Sequence, residues 1–327
     1  MLRTAVIGVG HLGQQHARIH AALAAEGKSQ LVSVCDIDEA RAKKIGEDWH
    51  VESTTAWRNL LGNVDAVSLA VPTESHCEIA CAFLESGTHV LVEKPISRTI
   101  DEADRMIEAA RKGAAILQVG HAERFNPALV ALRPHVKNPV YFEIHRVGQF
   151  TARSLDIDVV LDLMIHDLDI VQWLVGEDFG VMSVHAVGIP ILTNRVDAAN
   201  ARIEFESGAV ANITASRVGT ERIRKMRFFQ PRDYVVVDYA NNYASISSLA
   251  LSQASPWPGV NTKVLEVINV EPLRAEIESF IESASTNSRP LVSGEDGRRA
   301  LALALRTLEQ IHEHTVRIGA GTLLQNA

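Results

Sequence analysis

Lys94, Asp162 and His166 are the residues whose types and spacing could handle an alcohol proton and a developing oxyanion. Lys94 stands in "HVLVEKPIS", directly after the apolar run Val90–Val92 and before Pro95. An ammonium at the end of a buried strand is costly unless it has a partner or a task. Pairing with Glu93 would be the structural alternative. Asp162 and His166 stand in "VVLDLMIHDLD", four residues apart, so a helix puts them on one face. A histidine is suited to act as general base for an alcohol. A lysine can stabilise the alkoxide as its hydrogen leaves as hydride. The structural alternative for His166 is a core histidine satisfied by a carboxylate.

A hydride needs an acceptor, and the N-terminal motif supplies a place for one. "VIGVGHLG" sets Gly8, Gly10 and Gly13 in G-x-G-x-x-G spacing, with His11 and Leu12 between the last two. The motif follows an apolar strand and opens a helix, the context in which it holds a dinucleotide pyrophosphate. Asp36 ends the next strand, about twenty residues on, where an acidic residue takes a ribose 2′-hydroxyl. A carboxylate there repels a 2′-phosphate, so NAD is expected over NADP, although Arg41 is near enough in sequence to serve a phosphate. Asp36 could instead cap the following helix, a role for which Asp38 competes. Pro72, Thr73 and His76 in "AVPTESH" end another strand and, with Glu93 and Lys94, belong to the same expected cofactor edge.

These groups need a scaffold. Apolar strands near Leu2–Gly8, Leu31–Asp36, Ala66–Val71, Val90–Val92 and Ala115–Val119 alternate with helices near Leu12–Ala25, Glu39–Glu47, His76–Glu85 and Asp101–Lys112. Strands without alternation imply a parallel sheet covered on both faces, hence a doubly wound α/β domain. After about Gly120 the pattern changes. Helices are expected at Phe125–Val136, Val159–Val175, Leu273–Ala284 and Gly297–Arg317, and a strand at Tyr141–Val147. Between Val181 and Leu249 run alternating segments with "SG" and "PRD" turns, which predict a large, open, mainly antiparallel sheet. Phe205, Ile213 and Val236 are read as part of a free sheet face suited to pairing of copies. The segment Ser252–Lys263 is the best candidate for a mobile loop. The expected division is 1–121, a Rossmann domain, and 122–327, an α+β domain for substrate and oligomerisation.

Composition narrows the partners. The 327 residues carry a formal charge of -8 with no basic block, which argues against nucleic acid. No apolar run approaches the ~20 residues that span a bilayer, and the first residues do not read as a signal peptide. Cys35, Cys77 and Cys81 lack metal-binding spacing and read as reduced thiols of a cytoplasmic protein. No metal is expected.

Taken together, G-x-G-x-x-G, E-K-P and D-x-x-x-H-D ahead of antiparallel strands resemble the glucose–fructose oxidoreductase, inositol dehydrogenase and rhizopine-catabolism family (Gfo/Idh/MocA). The resemblance spans nearly the whole chain. It implies that Lys94, Asp162 and His166 face a substrate beside a nicotinamide, that Lys94–Pro95 is cis, and that copies pair through the C-terminal sheet as a homodimer or homotetramer. "VGHAERFNPA" is similar to members that oxidise the 3-hydroxyl of UDP-N-acetylhexosamines. That likeness makes Arg124 and Asn126 candidates for substrate oxygens, against a bracing role for Arg124 and a helix cap from Asn126. Arg153 and Arg217 are further diphosphate candidates. The rival readings are a dehydrogenase of a free polyol, inositol or hexose, an NAD-dependent glycosidase, and a non-catalytic NAD-sensing regulator.

Overall fold

The computed structural model describes residues 1–149, 157–250 and 259–319. The chain divides into two compact units, Met1–Phe125 with Glu271–Leu301, and Asn126–Val270 with Ala302–Ala327.

The first unit contains β1 (Arg3–Ile7), α1 (His11–Ala25), β2 (Gln30–Cys35), α2 (Glu39–Trp49), β3 (Glu52–Thr54), β4 (Ala66–Leu69), α3 (His76–Glu85), β5 (His89–Glu93), α4 (Ile100–Lys112) and β6 (Leu117–Gly120). Its strands are all parallel, in the order β3-β2-β1-β4-β5-β6. Strand order reverses between β1 and β4, the switch point where such sheets bind ligands. Ala5, Val6, Val67, Leu69, Val90, Leu91 and Val92 are buried, as a sheet covered on both faces requires. β3 adds to the strands expected from sequence; three residues at an edge are too few to show a period.

The second unit contains α5 (Pro127–Leu132), β7 (Tyr141–Gln149), α6 (Ile165–Val175), β8 (Val181–Ile189), β9 (Ala198–Phe205), β10 (Val210–Gly219), β11 (Ile223–Gln230), β12 (Asp233–Asp238), β13 (Tyr243–Ala250) and β14 (Gly259–Val264). The eight strands run in the order β14-β13-β12-β11-β7-β10-β9-β8. Every neighbouring pair is antiparallel except β7 and β10. One face is buried by a period-two row that includes Phe142, Ile144, Ile203, Phe205, Ala211, Ile213, Met226, Phe228, Val235 and Val237. Phe205 and Ile213 are therefore core residues of a single copy and cannot belong to a free face; Val236 alternates to the other side. The expected loop Ser252–Lys263 is also revised. Its end forms β14, whereas 252–258 lie outside the described residues.

Two helices follow, α7 (Pro272–Thr286) and α8 (Gly294–Arg317). The first departs from the expected division at residue 121. Ile277, Phe280 and Ile281 of α7 pack with Ile19 and Leu23 of α1, Ala66 of β4 and Leu91 of β5. The apolar stripe of α7 is buried by the parallel sheet's own helix, so the chain returns to its first unit before α8 leads back to the second. Two expected helices are also broken in kind. Phe125–Val136 contains only the short α5, followed by a 3-10 turn at Arg133–His135. Val159–Val175 begins with a π-helical turn, Val160–Met164, before α6.

Candidate active site

The glycine motif of the first unit is shaped by close approach. Gly8 has φ +82°, and a Cβ there would lie 2.6 Å from the Ala70 carbonyl oxygen. A Cβ on Gly13 would lie 1.7 Å from the Gly8 carbonyl oxygen, so α1 and the loop touch backbone to backbone. Gly10 differs: a Cβ on it would meet nothing within 4 Å. Gly10 is also the N-cap of α1 and offers no side-chain acceptor to the helix's first amides. An uncapped helix start bordering open space suits a phosphate group. His11 and Leu12 are exposed on the first turn.

Asp36 is 6% exposed and its Oδ2 accepts the Val9 N–H at 2.9 Å. It does not cap α2; Asp38 does, accepting the Arg41 N–H at 3.1 Å. The Arg41 guanidinium donates to both Asp36 oxygens at 3.2 Å and to Asp38. This arginine is engaged by carboxylates, and Asp36 ends β2 beside the glycine loop. The set fits a dinucleotide, with backbone for pyrophosphate and a carboxylate for a ribose.

At the neighbouring strand ends, His76 is buried and fixed at both ring nitrogens. Its Nε2 lies 3.0 Å from the Val71 carbonyl, and its Nδ1 lies 3.1 and 3.3 Å from those of Pro95 and Ile96. Burial pushes its pKa down, although those carbonyls and Glu93 favour a proton. His76 thus ties the segment after β4 to the segment after β5, while Pro72 is exposed and Thr73 half-buried. Glu93 is buried too, and its Oε1 accepts from His16 Nε2 at 2.9 Å. Burial opposes its charge, but the hydrogen bond from His16, helped by the nearby Lys94 ammonium, holds its carboxyl below the usual range. Lys94 is half-buried, its N–H donates to Glu93 Oε2 at 3.3 Å, and the Lys94–Pro95 bond is cis. His16 was not singled out from sequence; the signal was a histidine on the buried face of α1, one turn past Gly13.

In the second unit, Asp162 lies inside the π-helical turn and His166 in the first turn of α6, both half-buried. A π turn inside a helix is a frequent device for presenting side chains at a site. The next residue, Asp167, is fully buried and accepts from Arg146 of β7 at 2.6 and 2.8 Å. This pair ties α6 to the sheet immediately behind His166. It was not read from sequence, yet Arg146 interrupts an otherwise apolar inward row in "YFEIHRV".

The residues expected at the substrate, three arginines and Asn126, are placed as follows. Arg124 is 2% exposed, and its guanidinium donates to Asp296 Oδ1 and to the Leu291 carbonyl, each at 3.2 Å. Asn126 caps α5 by accepting the Ala128 N–H at 3.1 Å and donates to the Tyr239 carbonyl at 3.2 Å. Arg217 donates to the carbonyls of Ile157 and Val196 and lies 3.5 Å from Asp197. All three side chains brace their own unit. Arg153 lies outside the described residues.

Residues 2–121 match the model of an oxidoreductase family with an NAD-binding Rossmann fold, and residues 129–230 match the GFO/IDH/MocA C-terminal domain. The UDP-N-acetylglucosamine 3-dehydrogenase of Acidithiobacillus ferrooxidans is 38% identical over 93% of this chain and 96% of its own. The chain belongs to the Gfo/Idh/MocA oxidoreductase family. A solved structure of that same relative superposes with a TM-score of 0.88, covering 95% of this chain and 97% of the other. The myo-inositol 2-dehydrogenase of Thermotoga maritima is 29% identical over 95% of this chain and 97% of its own. Membership makes the chain an NAD(P)-dependent oxidoreductase acting on CH–OH groups. Among the described residues no helix is long and apolar enough to cross a membrane. Nor, among them, do three or more His, Cys, Asp or Glu side chains gather to hold a metal ion.

Proposed function

We propose that this protein uses NAD to oxidise a sugar hydroxyl to a ketone, and that the substrate is a UDP-N-acetylhexosamine oxidised at its 3-hydroxyl. The observation that carries the reading is the 38% identity, over nearly full length, to a dehydrogenase named for that reaction. Bound NAD supplies the hydride acceptor. Gly8, Gly10 and Gly13 give its pyrophosphate a backbone cradle, and Asp36 takes a ribose hydroxyl. Asp36 and its pairing with Arg41 support NAD over NADP, because a 2′-phosphate would meet a buried carboxylate. His166 takes the hydroxyl proton as the carbon loses hydride. Lys94 is the group suited to stabilise negative charge that develops on a substrate oxygen. Asp162 orients His166 or holds a neighbouring hydroxyl.

The family likeness to myo-inositol 2-dehydrogenase keeps oxidation of a free polyol or hexose as the second reading. Pairing of copies through the C-terminal sheet is part of the first, supported by exposed Met182, Val187, Ile189, Leu249, Val260 and Val264 on its strands. The three thiols, all free, fit a cytoplasmic setting.

Purified protein is incubated with NAD and UDP-N-acetylglucosamine, and NADH and sugar products are followed by absorbance and mass spectrometry. A ketosugar formed with NADH is the expected result. Oxidation of inositol or free hexose instead would move the assignment to a polyol dehydrogenase. Glycoside hydrolysis without net NADH would mark a glycosidase, and NAD binding with no turnover would mark a regulator. Light scattering during size-exclusion chromatography tests the dimer or tetramer.

A further inference from the structure

β5 ends in a carboxylate that packing alone does not call for. Glu93 follows the buried Val90, Leu91 and Val92, is itself 8% exposed, and precedes Lys94. Burying a charge is costly, and a buried charged pair adds little stability over packed apolar residues. The surroundings of Glu93 are nonetheless shaped to hold it.

Three neighbours fix this carboxylate. His16 of α1, fully buried, donates from Nε2 to Oε1 at 2.9 Å. The Lys94 N–H donates to Oε2 at 3.3 Å. Gly120 of β6 stands opposite Glu93 in the sheet, and a Cβ on it would lie 2.9 Å from Oε2. Glycine there leaves the room that the carboxylate fills. Among the described residues His16 Nδ1 has no hydrogen-bond partner, so Glu93 is the ring's polar anchor. Burial opposes the charge of Glu93, and the His16 hydrogen bond offsets that cost.

His16 stands three residues past Gly13, on the buried face of the helix that the glycine motif opens. One turn further along that face, His20 meets the neutral Ser68 hydroxyl of β4 at 2.8 Å. The histidine nearer the glycine motif meets a carboxylate instead, and that carboxylate adjoins the residue suited to stabilise an oxyanion. His16 and Glu93 thus link α1 to the residue after β5, all inside the first unit.

We propose that His16 is a positioning residue for hydride transfer: by fixing the Glu93 carboxylate against the Lys94 N–H, it sets where the Lys94 side chain leaves the sheet edge. It acts through Glu93, whose charge also gives the Lys94 ammonium a negative neighbour. A reacting group keeps its geometry only when the residues behind it are locked, and a misplacement of about 1 Å costs much of the rate. The inference rests on the dehydrogenase reading, in which Lys94 serves the reacting oxygen, and deepens it.

The test uses full-length protein with His16→Leu, His16→Gln, Glu93→Gln and the double variant His16→Leu with Glu93→Gln. Turnover of UDP-N-acetylglucosamine is measured with protium and with deuterium at C3, and NAD binding is titrated calorimetrically. His16→Leu is expected to lower kcat about 10- to 100-fold, the loss of one charge-assisted hydrogen bond. KM and NAD affinity should change only a few-fold, and the isotope effect on kcat should rise as hydride transfer becomes the slow step. His16→Gln, which keeps an N–H at the place of Nε2, should recover most of kcat. The double variant should lose no more than Glu93→Gln alone. Unchanged kcat and isotope effect in His16→Leu would overturn the proposal, as would losses that multiply in the double variant. Normal kcat in Glu93→Gln would overturn it too, even where His16→Leu does not fold. A wild type that oxidises myo-inositol but not the nucleotide sugar would sink the substrate reading alone, and the same comparisons with that polyol then decide the role of His16. NAD affinity retained in each variant separates these results from misfolding.

Discussion

Arg146 and Asp167 form an ion pair with hydrogen bonds of 2.6 and 2.8 Å, and their side chains are 2% and 0% exposed. The pair joins β7 to α6 at the residue that follows His166. Removing one partner takes this pairing from a charge that stays buried. Arg146→Ala or Asp167→Asn is expected to cost about 3–5 kcal/mol in urea unfolding. The double change Arg146→Met with Asp167→Leu should recover most of that loss, because both charges of the pair are gone. Equal destabilisation in the double variant would show that packing, not charge, sets the cost.

Gly10 and Gly13 separate binding from folding. Gly13→Ala places a Cβ against the Gly8 carbonyl, so the loop must shift; about 1–3 kcal/mol of stability should be lost. Gly10→Ala enters open space with an extended backbone that alanine accepts, so its thermal midpoint should stay close to wild type. NAD affinity should nevertheless fall, since the methyl occupies the space a pyrophosphate needs. An NAD titration unaffected by Gly10→Ala would argue against a dinucleotide at this loop.

His166→Gln and Lys94→Met are expected to lower kcat by about 10²–10⁴-fold. NAD binding should persist in the His166 variant, whose helix lies in the other unit from the glycine motif. Steady-state kinetics with the identified sugar checks this, and a His166→Gln enzyme of near-normal kcat would remove the histidine from the chemistry.

Arg124→Ala should act on stability and not on KM. Its guanidinium reaches Asp296, whose carboxyl also accepts from Ser293 and Arg299, all within the first unit. Burial opposes the charge of Asp296, yet Arg124 and Ser293 hold its pKa below the usual carboxylate value. Calorimetric unfolding should show a clear fall in midpoint, while a rise in substrate KM at unchanged midpoint would return Arg124 to the substrate.

His20 sets a pH dependence. It is fully buried, with Nε2 2.8 Å from Ser68 Oγ, and burial, helped by His16, pushes its pKa down to about 3. An unfolded histidine titrates near ~6.5. Between these values the unfolded chain binds the extra proton, so stability is full above about 6.5 and falls as pH drops toward 3. His20→Gln should flatten that decline relative to wild type in urea melts taken from pH 7 to pH 4. Parallel curves for the two proteins would show that the histidine is not held neutral.

The parallel-sheet half was legible because its signals are local. One apolar strand, three glycines and a helix lie within a few turns of chain, and their mutual contacts leave little choice of residue at Gly8 and Gly13. Asp36 was readable for the same reason: it ends the adjacent strand. Hairpin turns at Gly208 and Arg232 mark the second sheet through positive φ angles, which the "SG" and "PRD" segments anticipated.

Other features depend on partners distant in sequence. Arg124 looked like a substrate ligand until folding brought Asp296 to it from 172 residues away. Phe205 and Ile213 looked free because alternation names two faces without saying which one is covered. The return of α7 to the first sheet is hidden for a similar reason: an amphipathic helix shows that it has an apolar face, not what that face meets. Arg146 and Arg224 are a further case: they stand far apart in the sequence, and the register of β7 against β11 sets them opposite one another. By itself the sequence determined the types of element, the glycine cradle and the residues able to carry chemistry, since short-range sterics and periodicity govern these. Tertiary structure decided which charges are buried in pairs, because burial and partnership arise only when distant strands align.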